Sequence, residues 1–202
     1  MKFQDIKLNF IVDVATELFL QNSISIITIK DIAQKAGVGE ATIYRYFSRK
    51  QNIVLKSVLK LESIVLNNYF NLSNEKNGFD KITSFYYNYL EIFNMHPDFY
   101  KFIAEFDAYM LSEEPIELGE YEDEINKFKD IFINAYNLGI TDGSIKKHDN
   151  IDLFYFSTTH ALLELCKKLA IQKDILNQDK TIEKSSQIKE LIDIFLLSLK
   201  NL

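Results

Sequence analysis

The chain has 202 residues, 47% of them hydrophobic and 26% charged, with only 6 Gly and 2 Pro and a formal net charge of −6. That apolar content excludes a disordered chain, and so few glycines and prolines exclude a turn-rich all-β architecture. The single cysteine, Cys166, excludes an internal disulfide and suits a reducing compartment.

The N-terminal stretch MKFQDIKLNFIVDVATELFL places Asp5, Asp13 and Glu17 inside its apolar pattern. These charges interrupt a signal-peptide core, and no apolar run reaches membrane-spanning length, so a soluble cytoplasmic protein is expected. Charge is unevenly spread. Residues 1–50 hold seven Lys or Arg against five Asp or Glu, a net of +2, and the remainder carries −8. Both arginines, Arg45 and Arg49, lie in the first segment. A basic head on an acidic body points to an N-terminal nucleic-acid module, although an excess of two charges is small by itself.

Helical period runs through nearly the whole chain. Ile11, Val14, Ala15, Leu18 and Phe19 fall at i, i+3, i+4, i+7 and i+8 and predict the first helix. Thr28 followed by Asp31 predicts a capping-box start for the second, which ends near Ala36-Gly37. The third runs from Gly39 to Phe47. Ser48 with Gln51 predicts another capping box, opening a fourth helix to about Leu72. Polar residues 71–78 end it.

A second block follows. Ile82, Phe85, Tyr86, Tyr89, Leu90 and Phe93 form one stripe, and Phe99, Phe102, Ile103, Phe106, Tyr109 and Met110 another, with Pro97 in the first turn of its helix. An acidic loop, 112–119, precedes a helix through Ile125, Phe128, Phe132 and Ala135 that is expected to stop at Gly139. Thr141-Asp142-Gly143-Ser144 reads as a turn. Asp149 or Asn150 is expected to cap a helix to about Lys173, followed by a loop at 177–180 and a last helix from about Thr181 to Leu199. The expectation is an all-α protein of about nine helices with no strand.

Residues 28–47 make two short helices joined by a glycine-containing turn, which is the helix-turn-helix pattern. Ile32, Ala33, Val38, Ile43 and Phe47 are expected to pack against Phe10, Val14, Leu18 and Phe19. The second helix then leaves outside Glu40, Ala41, Thr42, Tyr44, Arg45 and Tyr46. Hydroxyls, a guanidinium and a methyl at the N-terminal end of a short exposed helix suit base edges in a major groove.

The stretch TIKDIAQKAGVGEATIYRYFSRK resembles the DNA-binding region of the TetR family of transcriptional regulators, whose pattern is roughly T-x-x-D-I-A-x-x-A-G-V-S-x-G-x-x-Y-x-Y-F-x-S-K. The resemblance implies a homodimer whose two heads bind half-sites of a palindromic operator in double-stranded DNA. It implies phosphate contacts from Thr28 and Lys50. Tyr44 and Tyr46 would contact the backbone and bases, and Glu40, Ala41, Thr42 and Arg45 would face base edges. Lys50, in the first turn of the fourth helix, gains from that helix's own N–H groups. Gly39 stands where the family usually has a capping Ser, Ala41 where Gly is frequent, Arg49 for a Ser and Gln51 for a Glu. Gly39 is only a slightly poorer cap, Ala41 adds a methyl that can meet thymine, and Glu40 can accept from cytosine. Packing remains an alternative role for one of the two tyrosines, capping for Thr28, and plain solvation for Arg49.

The head is assigned to residues 1–50, with 49–72 as the connecting helix, and a ligand-binding and dimerisation domain to 51–202. More than half of the aromatic residues fall between 79 and 136. The resemblance implies that these helices enclose a small-molecule pocket. Its candidates are Tyr86, Tyr89, Phe93, Phe102, Phe106, Tyr109, Phe128, Phe132, Tyr136 and His160, and they favour an apolar or aromatic effector. The alternative is that such stripes are simply core. The last two helices are apolar on more than one face, through Leu162, Leu163, Leu165, Cys166 and Leu169 and through Leu191, Ile192, Ile194, Phe195, Leu196 and Leu199. A second copy is the natural partner for the outer face, in a symmetric four-helix interface.

Catalysis is not expected. His96, His148 and His160 have no metal-ligand spacing with each other or with Cys166, there is no glycine-rich phosphate loop, and His160 and Cys166 lie on different sides of one helix. No cofactor and no metal are expected. A body that binds a protein partner instead of a small ligand is the competing reading, marked by a solid interior and an exposed apolar patch. A repressor is expected, with activation as the alternative, since the sign of regulation depends on where the operator lies.

Overall fold

The computed structural model describes residues 3–171 and 181–201 of the chain, and the described residues are all-helical. In order they form α1 (Phe3–Gln21), α2 (Ile29–Lys35), α3 (Glu40–Phe47), α4 (Lys50–Tyr69), α5 (Gly78–Met95), α6 (Pro97–Ser112), α7 (Gly119–Asp142), α8 (Ile151–Ile171) and α9 (Lys184–Leu199). Among the described residues no helix is long and apolar enough to cross a membrane. The expected loop at 177–180 and the end of its preceding helix near Lys173 lie outside the described residues.

The local signals work where backbone chemistry is decisive. Thr28 and Asp31 close a reciprocal capping box on α2, with the Asp31 N–H donating to the Thr28 hydroxyl and the Thr28 N–H to the Asp31 carboxylate. Gly37 ends that helix at φ 64, a conformation that costs other residues strain. Pro97 opens α6, and Asn150 caps α8 by accepting from the Leu153 N–H at 2.9 Å.

Three local expectations are corrected. Ser48 does not cap α4. It takes φ 60, ψ −44 and forms a tight turn in which the Arg49 N–H donates to the Phe47 carbonyl at 2.6 Å, while Arg49 occupies the N-cap position without a side-chain bond. Only two residues separate the helices, so Ser48 serves as the C-cap of α3 and Arg49 is left as the N-cap of α4. Helix α7 passes through Gly139 and stops at Gly143, whose φ of 77 makes it the actual left-handed cap. The close approach of α5 to α7 there rests on Gly78, whose Cβ would lie 2.0 Å from the Gly139 nitrogen, while a Cβ on Gly139 would lie 2.3 Å from the Ile145 side chain. The last helix begins at Lys184, not Thr181.

The head packs α1, α2 and α3 around Ile11, Ala15, Phe19, Ile32, Ala33, Ile43 and Phe47, all buried. Phe10, expected in that core, is 50% exposed, and Ile11 occupies the inward register. In the body, α5 lies along α7 and α9, α6 along α8, and α4 crosses α1, α6 and α7. Its centre is a cluster of edge-on rings: Phe85 meets Phe70, Tyr86 and Phe132, and Phe70 meets Phe128 at 4.9 Å.

Candidate functional site

Helix α3 is short and strongly two-sided. Ile43 and Phe47 are buried where α3 packs on α2 and α4, which fixes the orientation of every other side chain on the helix. Gly39, Glu40, Ala41, Tyr44 and Arg45 are exposed, and Thr42 and Tyr46 half-buried. Tyr44 is 52% exposed, whereas Tyr46 packs its ring beside Phe47 and beneath the Arg45 guanidinium, 5.3 Å from the ring centre. The predicted base-facing residues therefore share one solvent face. Tyr46 is a support for Arg45 as well as part of that face.

Two predicted phosphate ligands have other partners. The Thr28 hydroxyl donates to Asp31 at 2.6 Å, and this bonding holds the Asp31 carboxyl below its usual range. Lys50 turns inward. Its ammonium donates to the Ile24 carbonyl and sits 5.0 Å from the centre of the Tyr109 ring. Partial burial lowers its pKa, with Glu113 and Asp31 acting in the opposite direction. Lys50 thus ties the loop between α1 and α2 to α6. Glu105 of α6 reinforces the tie by accepting from the Ile24 N–H at 2.7 Å, and Gln51 donates to the Glu114 carbonyl at 2.9 Å. Arg49 stays exposed, 3.7 Å from an exposed Glu114 carboxylate, which is a weak pairing.

The body holds a cavity of about 230 Å³ between α4, α5, α6, α7 and α8. Of the sequence-predicted pocket residues, Tyr89, Phe128 and His160 line it. Tyr86, Phe93, Phe102, Phe106, Tyr109, Phe132 and Tyr136 do not; they are buried in the surrounding core or its edges. Tyr86 shares a 2.6 Å hydrogen bond with Thr158, and the Tyr136 hydroxyl accepts from the His148 N–H at 2.8 Å. Helical period marked the apolar faces without showing which part of a face meets the gap. The lining also includes Phe70, Tyr100, Tyr121, Tyr155, Phe156 and Thr159, and one acid, Glu62 of α4. A glutamate inside the apolar pattern of α4 is the signal that could have found it.

Glu62 is only 7% exposed. Burial is the main cause that pushes its carboxyl up to about 8, and the nearby Glu124 and Asp107 push the same way. Cys166 is buried too, and burial raises its thiol to about 12, while His160 is exposed on another face of α8. The two form no dyad.

Residues 11–56 match the family model described as bacterial regulatory proteins, tetR family. No curated protein sequence matches the chain significantly. Solved structures share its fold over nearly its full length. A Saccharomonospora viridis putative transcriptional regulator in complex with choline is 16% identical, with a TM-score of 0.72 over 96% of this chain and 98% of that one. A putative TetR-family regulator from Mesorhizobium loti, also 16% identical, superposes with a TM-score of 0.68 over 100% of both chains. The transcriptional regulator FadR from Bacillus subtilis, in complex with stearoyl-CoA, is 17% identical with a TM-score of 0.63, covering 94% of this chain and 97% of its own. The matched residues run from α1 into α4 and include the two-sided α2–α3 unit, so residues 11–56 are similar to the DNA-binding helix-turn-helix of the tetR family, on a chain that shares the fold of solved TetR-family regulators.

Proposed function

We propose that the protein is a homodimeric repressor released from a palindromic operator by a small molecule with an apolar or aromatic body. The observation that carries this reading is mechanical. The same helices that line the cavity also hold the head. Helix α4 contributes Glu62 and Val65 to the cavity and begins at Lys50, directly after the recognition helix. Helix α6 contributes Phe99 and Tyr100 and grips the loop before α2 directly through Glu105, while its Tyr109 meets Lys50, whose ammonium holds the Ile24 carbonyl. A ligand that shifts α6 against α4 would move the head by displacing Ile24, and packed helices respond to such shifts by moving as units. Complexes of two neighbours of the same fold with choline and stearoyl-CoA support a body able to house small molecules.

In this reading residues 1–50 form the reading head and 51–202 the sensing and dimerising body. Gly39, Glu40, Ala41, Thr42, Tyr44 and Arg45 enter the major groove. Dimerisation uses the outer faces of α8 and α9. There Leu153, Ile194 and Leu197 are exposed on a single chain, Leu197 at 72%, and a second copy would cover them.

Selection of bound sequences from random duplex DNA at two salt concentrations tests the reading. It expects an enriched palindrome and affinity that falls steeply with salt. Failure to enrich any sequence at either salt would overturn it.

A further inference from the structure

Glu62 differs from the other acidic residues of the body. Its side chain is more than nine-tenths buried, and it faces the cavity. Glu124 and Asp107, both acidic, act on its carboxyl, and the hydroxyls of Tyr89, Tyr100 and Tyr121 lie within its electrostatic reach, but no cation of the described residues is among its partners. Glu124 has one carboxylate oxygen buried without a hydrogen-bond partner and the other on Lys127, and Asp107 pairs with Lys167 at 2.6 Å. The described lining of the cavity contains no lysine or arginine. It does contain Tyr89, Tyr100, Tyr121, Phe128 and Tyr155, whose ring faces carry partial negative charge. The residues at this gap thus favour positive charge, and no described residue of the lining supplies it.

We propose that the cavity receives a small organic cation, whose charged nitrogen lies against the Glu62 carboxylate inside the aromatic lining. The inference rests on reading this cavity as the effector site and specifies the chemistry of what enters. An ammonium with an apolar body meets both halves of the lining: the rings take the hydrocarbon and the methyl-bearing charge, and the carboxylate neutralises it. With a volume of about 230 Å³ the cavity lies below the usual range of ligand sites, roughly 300–1,000 Å³, so the cation is small. In the free protein near neutral pH the Glu62 carboxyl holds its proton, because burial and the facing Glu124 and Asp107 oppose ionisation. The arriving cation replaces that proton. His160 of α8 is the other titratable group besides the tyrosines that lines the cavity.

The test is calorimetric binding of benzyltrimethylammonium and of neopentylbenzene, its neutral analogue with carbon in place of nitrogen, to the full chain. The cation is expected to bind at least tenfold tighter than the neutral compound, a difference of roughly 1.4 kcal/mol or more. Glu62→Gln is expected to remove that preference while leaving the neutral compound's affinity within about twofold. In wild type, buffers of different ionisation enthalpy should reveal release of close to one proton per cation bound at pH 7 and none with the neutral compound. His160→Gln should keep that release. Equal affinities, or a preference that survives in Glu62→Gln, or cation binding without proton release, would overturn the inference and leave the cavity as an apolar effector site. Binding of neither compound would overturn both readings of the cavity.

Discussion

Replacing Glu62 by Gln keeps the shape of the side chain and removes its ionisation, which makes the stability of the ligand-free protein a direct report on that buried acid. The folded carboxyl titrates at about 8, and its ordinary value is 4.5. Because the folded value is the raised one, the contribution to stability is complete below the unfolded pKa. It is lost as pH climbs from there to the folded pKa, while the unfolded chain ionises first. At 1.36 kcal/mol per pKa unit, the loss reaches about 3 kcal/mol by pH 7 and levels off between about 4 and 5 kcal/mol above pH 8. Between pH 6 and pH 9 the wild type should therefore lose about 2–3 kcal/mol more than Glu62→Gln. For a chain of this size that corresponds to roughly 5–10 °C in relative Tm. Parallel thermal denaturation in matched buffers across that range measures it. Parallel pH profiles for the two proteins would show that Glu62 is solvated in solution, and the argument for its buried, unpartnered state would fail.

Other substitutions probe the head, the helix crossing and the outer face. Thr28→Ala removes the hydroxyl that accepts from the Asp31 N–H, leaves the backbone N–H of position 28 on the Asp31 carboxylate, and should cost about 1 kcal/mol by denaturant unfolding. Arg45→Ala should relax preference at one base pair of the selected operator, costing about 1–3 kcal/mol there, whereas Lys50→Ala, which frees the Ile24 loop that holds the head, should weaken all sequences alike; identical effects of the two in repeated selection would refute this division. Gly78→Ala should lower Tm clearly, since its Cβ would meet the Gly139 backbone at 2.0 Å, while Gly119→Ala, with nothing within 4 Å, should change stability by no more than about 0.5 kcal/mol. Leu197→Asp should abolish the proposed dimer in light scattering without unfolding the protomer, because the side chain is exposed within one chain.

The helices and the reading head were legible in the sequence because both rest on local chemistry. Spacing at 3.6 residues, the Thr28–Asp31 box, Gly37 and Pro97 each act within a turn or two of chain, and the structure places them as expected. The exposed face of α3 followed once Ile43 and Phe47 were assigned inward. Ser48 failed for a reason beyond composition: it matches a capping residue, but the short junction between α3 and α4 commits its backbone to a left-handed turn.

Tertiary structure alone decided what the apolar stripes enclose. Phe102 and Phe132 look no different in sequence from Phe128, yet only Phe128 borders the cavity. Lys50 reads as a phosphate ligand until the fold brings Ile24 and Tyr109 beside it. Glu62 reads as an ordinary polar position of a helix, and becomes a buried unpaired acid because α4 runs between α1, α6 and α7. Local patterns fix which residues are helical and which face is apolar. The desolvation and the partners of one side chain depend on residues distant in sequence, and only packing brings those together.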